Sequence, residues 1–239
     1  MSLPHKYYDL CVHAYPDGEH NCSQMLAMSQ HLGYSGICIS NHSDSESCEE
    51  VLSSNVQLEM CSGIEVRVSK PSKLHGLVGK YRTKKDVIIV HGGTESINRA
   101  AVENPSVDIL NHPFTSKDSG INHVLAKAAA ENNVALAFNV DILIKLKGGK
   151  RVYALSNFRR NLQLARKYDV PMLLTSNAAS LYDLRAPRDL IALAGLFGMT
   201  IEEGNLALSD IPAAIISRNR RLANSVRDGV RVIEREGDM

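Results

Sequence analysis

A chain of 239 residues suits one large domain, since α/β barrels close as single units of about 250 residues. Hydrophobic residues make up 44% and charged residues 22%, which excludes disordered, collagen-like and coiled-coil classes and leaves enough apolar sequence for a sizeable core. Lysine and arginine number 27 against 26 acids, so a net charge of +1 advertises neither a nucleic-acid nor a membrane partner, and any such partner must be met by a local patch.

In chain order, short apolar runs rich in Val, Ile and Leu fall at 8–12, 36–40, 58–66, 87–90, 107–110, 134–139 and 170–175, as expected of strands buried on both faces of a parallel sheet. Helical patterns lie between them at 22–32, 97–102, 121–132, 187–197 and 209–223. The clearest helix places Val152, Leu155, Phe158, Leu162 and Ala165 on one stripe. Ser209 reads as an N-cap with Pro212 in the first turn. Alternation of this kind predicts a parallel α/β fold. With no G-x-G-x-x-G or Walker sequence after any strand, seven even units favour a TIM-like (β/α)7 barrel over an open nucleotide-binding sheet. One domain spanning 1–239 is expected, with loose ends at 1–6 and 227–239.

Cysteines 11, 22, 38, 48 and 61 include no C-x-x-C pair, so they read as reduced thiols of a cytoplasmic protein rather than a zinc ribbon or redox motif. The polar start, Met1 to Asp9, has no signal-like apolar region, and no run is long enough for a membrane span. A soluble, cytoplasmic chain with no membrane partner is the expectation.

Four histidines sit at or just past predicted strand ends: His13, His42, His91 and His112, with Glu65 ending the third strand. In an α/β barrel these ends converge on one face, where active sites are built, and imidazoles plus a carboxylate suit zinc or manganese. The pattern resembles the polymerase-and-histidinol-phosphatase (PHP) metallophosphoesterases, whose strands end in H-x-H, D-H, a glutamate, H-P and D-x-H. Here the motifs read Cys11-Val12-His13, Asn41-His42, Glu65, His112-Pro113 and Asn177-Ala178-Ala179. Two carboxylates have become amides and Ala179 offers no ligand. A polynuclear centre needs several anionic ligands, so none is expected here, and no catalytic residue is assigned. A single ion on the vestigial set His13, His42, Glu65, His91 and His112 remains compatible with the residues.

A narrower resemblance spans nearly the whole chain. Asn98-Arg99-Ala100-Ala101-Val102-Glu103, Val107-Asp108-Ile109-Leu110-Asn111-His112-Pro113 and Leu181-Tyr182-Asp183-Leu184-Arg185-Ala186-Pro187-Arg188-Asp189 resemble the protein component 3 family of archaeal ribonuclease P, counterpart of a thirty-kilodalton eukaryotic subunit. Asn111 and Asn177 stand where serine and aspartate would be unremarkable. The resemblance implies a PHP-like barrel without the full metal set. It also implies a subunit of the ribonucleoprotein endonuclease that removes the 5′ leader from precursor tRNA. The RNA subunit would carry the chemistry with magnesium, leaving this chain non-catalytic alone. Its implied partners are RNase P RNA, precursor tRNA indirectly, and a smaller protein subunit.

The residues offer RNA contacts of their own. Between 142 and 170, eight basic residues (Lys145, Lys147, Lys150, Arg151, Arg159, Arg160, Arg166, Lys167) face one acid, Asp169. Smaller clusters are Lys80, Arg82, Lys84 and Lys85, and Arg218, Arg220 and Arg221. Such patches carry phosphate affinity that total charge hides. Arg99, Arg185 and Arg188 are further candidates, although Asp183 or Asp189 could pair with the last two. Aromatics amount to 5% with no tryptophan, so recognition by backbone and shape is expected rather than base stacking. The rivals are a free-standing metal-dependent phosphoesterase and a pure protein scaffold.

Overall fold

The computed structural model describes residues 5–45, 58–115, 118–223, 225–227 and 230–231. Seven strands, β1 (Tyr8–Val12), β2 (Gly36–Ile39), β3 (Glu59–Val66), β4 (Val87–His91), β5 (Ile109–Asn111), β6 (Ala135–Asn139) and β7 (Met172–Thr175), pair in sequence order, each parallel to the next. They curl into a nearly closed barrel. At the seam, His13 N–H donates to Ala178 O at 2.8 Å. The buried Asp9 carboxylate of β1 accepts from Thr175 Oγ1 (2.5 Å), Ser176 N (2.8 Å) and Ser176 Oγ (2.6 Å), so a side chain ties the two edge strands together.

The helices are α1 (Cys22–His31), α2 (Leu74–Arg82), α3 (Glu95–Val102), α4 (His123–Glu131), α5 (Asp141–Lys145), α6 (Gly148–Tyr168), α7 (Pro187–Ala194), α8 (Ile201–Leu208) and α9 (Asp210–Ala223). Local chemistry sets several starts. Asn21 with Gln24 and Thr200 with Glu203 form capping boxes, Thr94 and Asn122 cap α3 and α4, and Pro187 opens α7.

The period of two along each strand produces two separate cores. Outward residues such as Ile37, Ile88, Leu110, Leu136 and Phe138 pack against the helices, where Phe138, Phe158 and Phe197 form an aromatic cluster. Inward residues, among them Leu10, Cys38, Val87, Ile89, Ile109 and Leu173, fill the lower lumen together with Ile215 and Ile216 of α9. Helix α9 therefore plugs the end where the strands begin. Buried Asp108, just before β5, fixes it by accepting from Arg218 (2.7 Å), Asn219 (2.9 Å) and Arg82 (2.7 Å).

Several expectations need correction. The structure adds helices α2, α5 and α8, which the sequence pattern does not predict. Val152 is 65% exposed, because the packed face of α6 starts only at Ala154. Ser209 does not cap α9 with its side chain: its hydroxyl donates back to Asn205 O at 2.7 Å. Cys11, Cys38 and Cys61 are free thiols and buried, Cys22 is buried, and Cys48 lies outside the described residues. Of the ends expected to be loose, 1–4 and 232–239 lie outside the described residues, whereas Ser225–Arg227 pairs antiparallel with Val230–Arg231.

Candidate functional site

The lumen turns polar where the strands end. His13, His42, Glu65, His91 and His112 converge there, as strand-end placement predicts. The His13 and His42 rings stack at 4.8 Å with a 5° interplanar angle, His42 lies 5.7 Å from His91, and His91 lies 4.8 Å from His112. Glu65, fully buried, sits among them: Oε1 is 2.6 Å from His91 Nδ1, and Oε2 is 3.5 Å from His13 Nε2 and 3.8 Å from His42 Nε2. Burial pushes the Glu65 carboxyl up, but the His91 hydrogen bond and the field of His112, His13 and His91 outweigh it and hold the group down to about 2. Burial lowers His13 and takes His112 down to about 4, so both imidazoles are kept neutral near pH 7.

A chain of amides completes the mouth. Asn111 Nδ2 donates to both Glu65 oxygens at 3.3 Å, and Asn139 Nδ2 donates to Asn111 Oδ1 at 2.6 Å. Asn177 Nδ2 donates to Asp141 Oδ2 at 3.4 Å, and Lys145 bridges Asp141 and Asp183 at 3.5 and 3.4 Å. Opposite, Asp17 accepts from the backbone N–H of His42 and from Ser45, with His42 Nδ1 at 2.8 Å. Asp17, Asn139 and Asp141 escaped sequence reasoning. Asn139 did carry the signal, a polar residue ending an apolar strand, but an amide suggests no chemistry alone.

Two triads, His13–Asp17–His42 and His42–Glu65–His91, bring ligand atoms within 4.8 Å of one another. Each offers one carboxylate, and both need His42. Glu65 is already engaged by His91 and by the Asn111 amide, which is a hydrogen-bond donor where a cation would need an anion. The set does not fit a polynuclear hydrolytic centre.

The motif residues have structural tasks. Buried Asn98 donates to Pro113 O (2.6 Å) and Gly120 O (2.9 Å) and so shapes the loop after His112. Gly120, at φ +73°, leaves no room for a Cβ against the Pro113 carbonyl. Arg99 pairs with Glu95 at 2.9 Å and Glu103 at 3.5 Å. Arg185 takes neither aspartate: it donates to Tyr182 O (2.5 Å) and Leu184 O (2.7 Å), and Lys145 is the cation on Asp183. Among the described residues, Arg188 reaches its neighbour Asp189 at 3.5 Å and is otherwise exposed.

Counting charges overstates the basic patches. Arg166 grips Glu203 with two 2.7 Å bonds, Arg159 donates to Leu196 O at 3.0 Å, and Arg151 donates to Leu146 O at 2.7 Å. In the other clusters, Arg82 and Arg218 hold Asp108, and Arg220 pairs with Glu59 and Asp86. Among the described residues, Lys147, Lys150 and Arg160 stand in no ion pair.

These features define a PHP-like α/β barrel that keeps a strand-end histidine cluster but not a polynuclear ligand set. The chain belongs to the RNase P subunit p30 family, whose profile matches residues 6–224. Ribonuclease P protein component 3 of Methanococcoides burtonii is 55% identical over 95% of this chain and 94% of its own length, and that of Methanosarcina barkeri is 53% identical over 98% of both. A chain in the cryo-EM structure of archaeal ribonuclease P with mature tRNA superposes with a TM-score of 0.78 at 29% identity, covering 97% of this chain and 100% of its own. A Lactococcus lactis histidinol phosphate phosphatase shares the fold at a TM-score of 0.50 and 15% identity, over 80% of this chain and 94% of its own. No helix among the described residues is long and apolar enough to cross a membrane.

Proposed function

We propose that this chain is a protein subunit of an archaeal-type ribonuclease P, the endonuclease that removes the 5′ leader from precursor tRNA. In this reading the RNA subunit performs the cleavage with magnesium. The chain stabilises that RNA together with a smaller protein subunit, and meets precursor tRNA only through the assembly. The observation that carries the reading is likeness to component 3 proteins over nearly the whole chain, joined to a mouth whose central acid is already engaged by His91 and Asn111. RNA contact is assigned first to Lys147, Lys150 and Arg160, which stand in no ion pair among the described residues, then to Arg188, whose guanidinium is 90% exposed although it lies 3.5 Å from Asp189, with Lys145 and Arg151 beside them. Arg99, Arg159, Arg166 and Arg185 serve mainly to hold the protein's own elements.

The test is reconstitution by omission. RNase P assembled from transcribed RNA and recombinant subunits should cleave precursor tRNA markedly more slowly when this chain is left out. Equal rates with and without it would sink the proposal.

A further inference from the structure

We propose that a groove between the loop after β5 and the start of α6 is a nucleotide slot, where Tyr153 stacks an unpaired base of the RNA and Lys150 and Lys147 hold the flanking phosphates. It rests on the ribonucleoprotein reading above and adds a defined site and mode of contact.

The groove has a volume of about 330 Å³ and is walled by Phe114, Leu146, Tyr153 and Ala154, with Lys150 and Asn157 at its edges. That is the lower end of the size range of small-molecule pockets, enough for a base rather than for a folded element. Tyr153 is 65% exposed, although the next residue, Ala154, is buried in the barrel's helical layer. A flat aromatic ring is thus held on a rigid helix with its surface open to solvent. Phe114 is fixed by an edge-to-face contact with Phe158 at 5.3 Å. The opposite wall is preformed as well: Gly148 takes φ +54°, and Arg151 reaches back to Leu146 O and, at 3.4 Å, to Ile144 O, fixing the turn between α5 and α6. Asn157 donates to Thr115 O at 3.4 Å, which leaves its carboxamide oxygen to accept from a base edge.

Charge selects the occupant. Lys150 lines the groove, Lys147 follows its wall residue Leu146 directly in sequence and Arg151 follows Lys150 in the first turn of α6, while the nearby acids Asp141 and Asp183 are taken by Lys145. An aromatic face with cations spaced beside it suits a base and its phosphates, and such stacking tolerates any base. This departs from the composition-based expectation that recognition would use backbone and shape alone.

The experiment measures binding of the full chain to RNase P RNA transcribed in vitro, across a range of salt. Tyr153→Ala should weaken binding about fivefold or more with an unchanged salt slope, while Tyr153→Phe should bind as wild type. Lys147→Gln with Lys150→Gln should instead flatten the log–log slope by about 1 to 2. Ultraviolet cross-linking of RNA carrying 4-thiouridine should map to the peptide containing Tyr153. Wild-type affinity in Tyr153→Ala, with the lysine variants still flattening the slope, overturns the slot but leaves RNA binding standing. A Tyr153→Ala chain that keeps RNA affinity but fails to recruit a protein subunit into the assembled enzyme overturns it in favour of a protein contact. No salt-dependent binding by the wild-type chain, either alone or with the smaller protein subunit present, would remove the ribonucleoprotein reading beneath it.

Discussion

His91 Nδ1 stands 2.6 Å from Glu65 Oε1, and this hydrogen bond helps keep a fully buried carboxylate ionised at the centre of the barrel mouth. The pair makes stability depend on acidity. Glu65 is held at about 2 against an ordinary 4.5, so in that window the unfolded chain binds a proton that the native one refuses. Its contribution is fully present above 4.5 and is lost as pH falls towards 2. Neutral His112, held at about 4 against 6.5, acts with the same sign one window higher: stability falls as pH drops from 6.5 to about 4. The unfolding free energy from urea titration should therefore fall through both ranges by roughly 3 kcal/mol in each, and the urea midpoint with it. Glu65→Gln should flatten the lower limb and His112→Asn the upper. A midpoint constant between pH 7 and 4 would contradict the assignment.

Asp108 receives two guanidinium groups and an amide at the closed end of the barrel. Asp108→Asn leaves Arg82 and Arg218 facing a neutral group, and should cost about 3 kcal/mol or more. Chemical denaturation reads this directly, and an unmoved midpoint would show that α9 is held by its isoleucines alone.

Arg166 separates structure from binding. Its fork on Glu203 is partly solvated, so a double-mutant cycle with Arg166→Ala and Glu203→Ala should give a coupling of about 1 kcal/mol. The salt slope of RNA binding should stay where it was. A flattened slope would return Arg166 to the RNA surface.

The histidine cluster should take up at most one divalent ion per chain. Equilibrium dialysis with zinc or manganese should show this, and His42→Ala should abolish it, because both triads use that ring. The combined His42→Ala, His112→Ala chain should support near-normal precursor-tRNA cleavage in the assembled enzyme. Two or more ions per chain, or a large loss of cleavage, would restore a catalytic role to the mouth.

Most strands could be read from the sequence because burial on both faces leaves largely apolar runs, even for the three-residue β5, although Asp9 interrupts β1 and Glu59, Ser62 and Glu65 interrupt β3. Helix α2 could not: Gly76 and Gly79 interrupt its pattern, and it buries only Leu74 and Val78. Helix α8 hides in the same way behind Gly204, where a Cβ would press on Ile191 at 3.0 Å. Helix α5 is five residues long, too short for a period to emerge. The convergence of His13, His42, Glu65, His91 and His112 followed from their strand-end positions. The amides around them acquire meaning only when Asn111 is seen donating to Glu65. For the arginines, sequence counts charges but not partners: Arg166 meets Glu203 across 37 residues and Arg218 meets Asp108 across 110.

The most direct measurement is affinity purification of the tagged chain from its native cell, with retained RNA sequenced, proteins identified by mass spectrometry and the eluate assayed on precursor tRNA. The account predicts one abundant structured RNA, a few small proteins and cleavage at the 5′ leader. An RNA-free protein that hydrolyses phosphate esters on its own would contradict it.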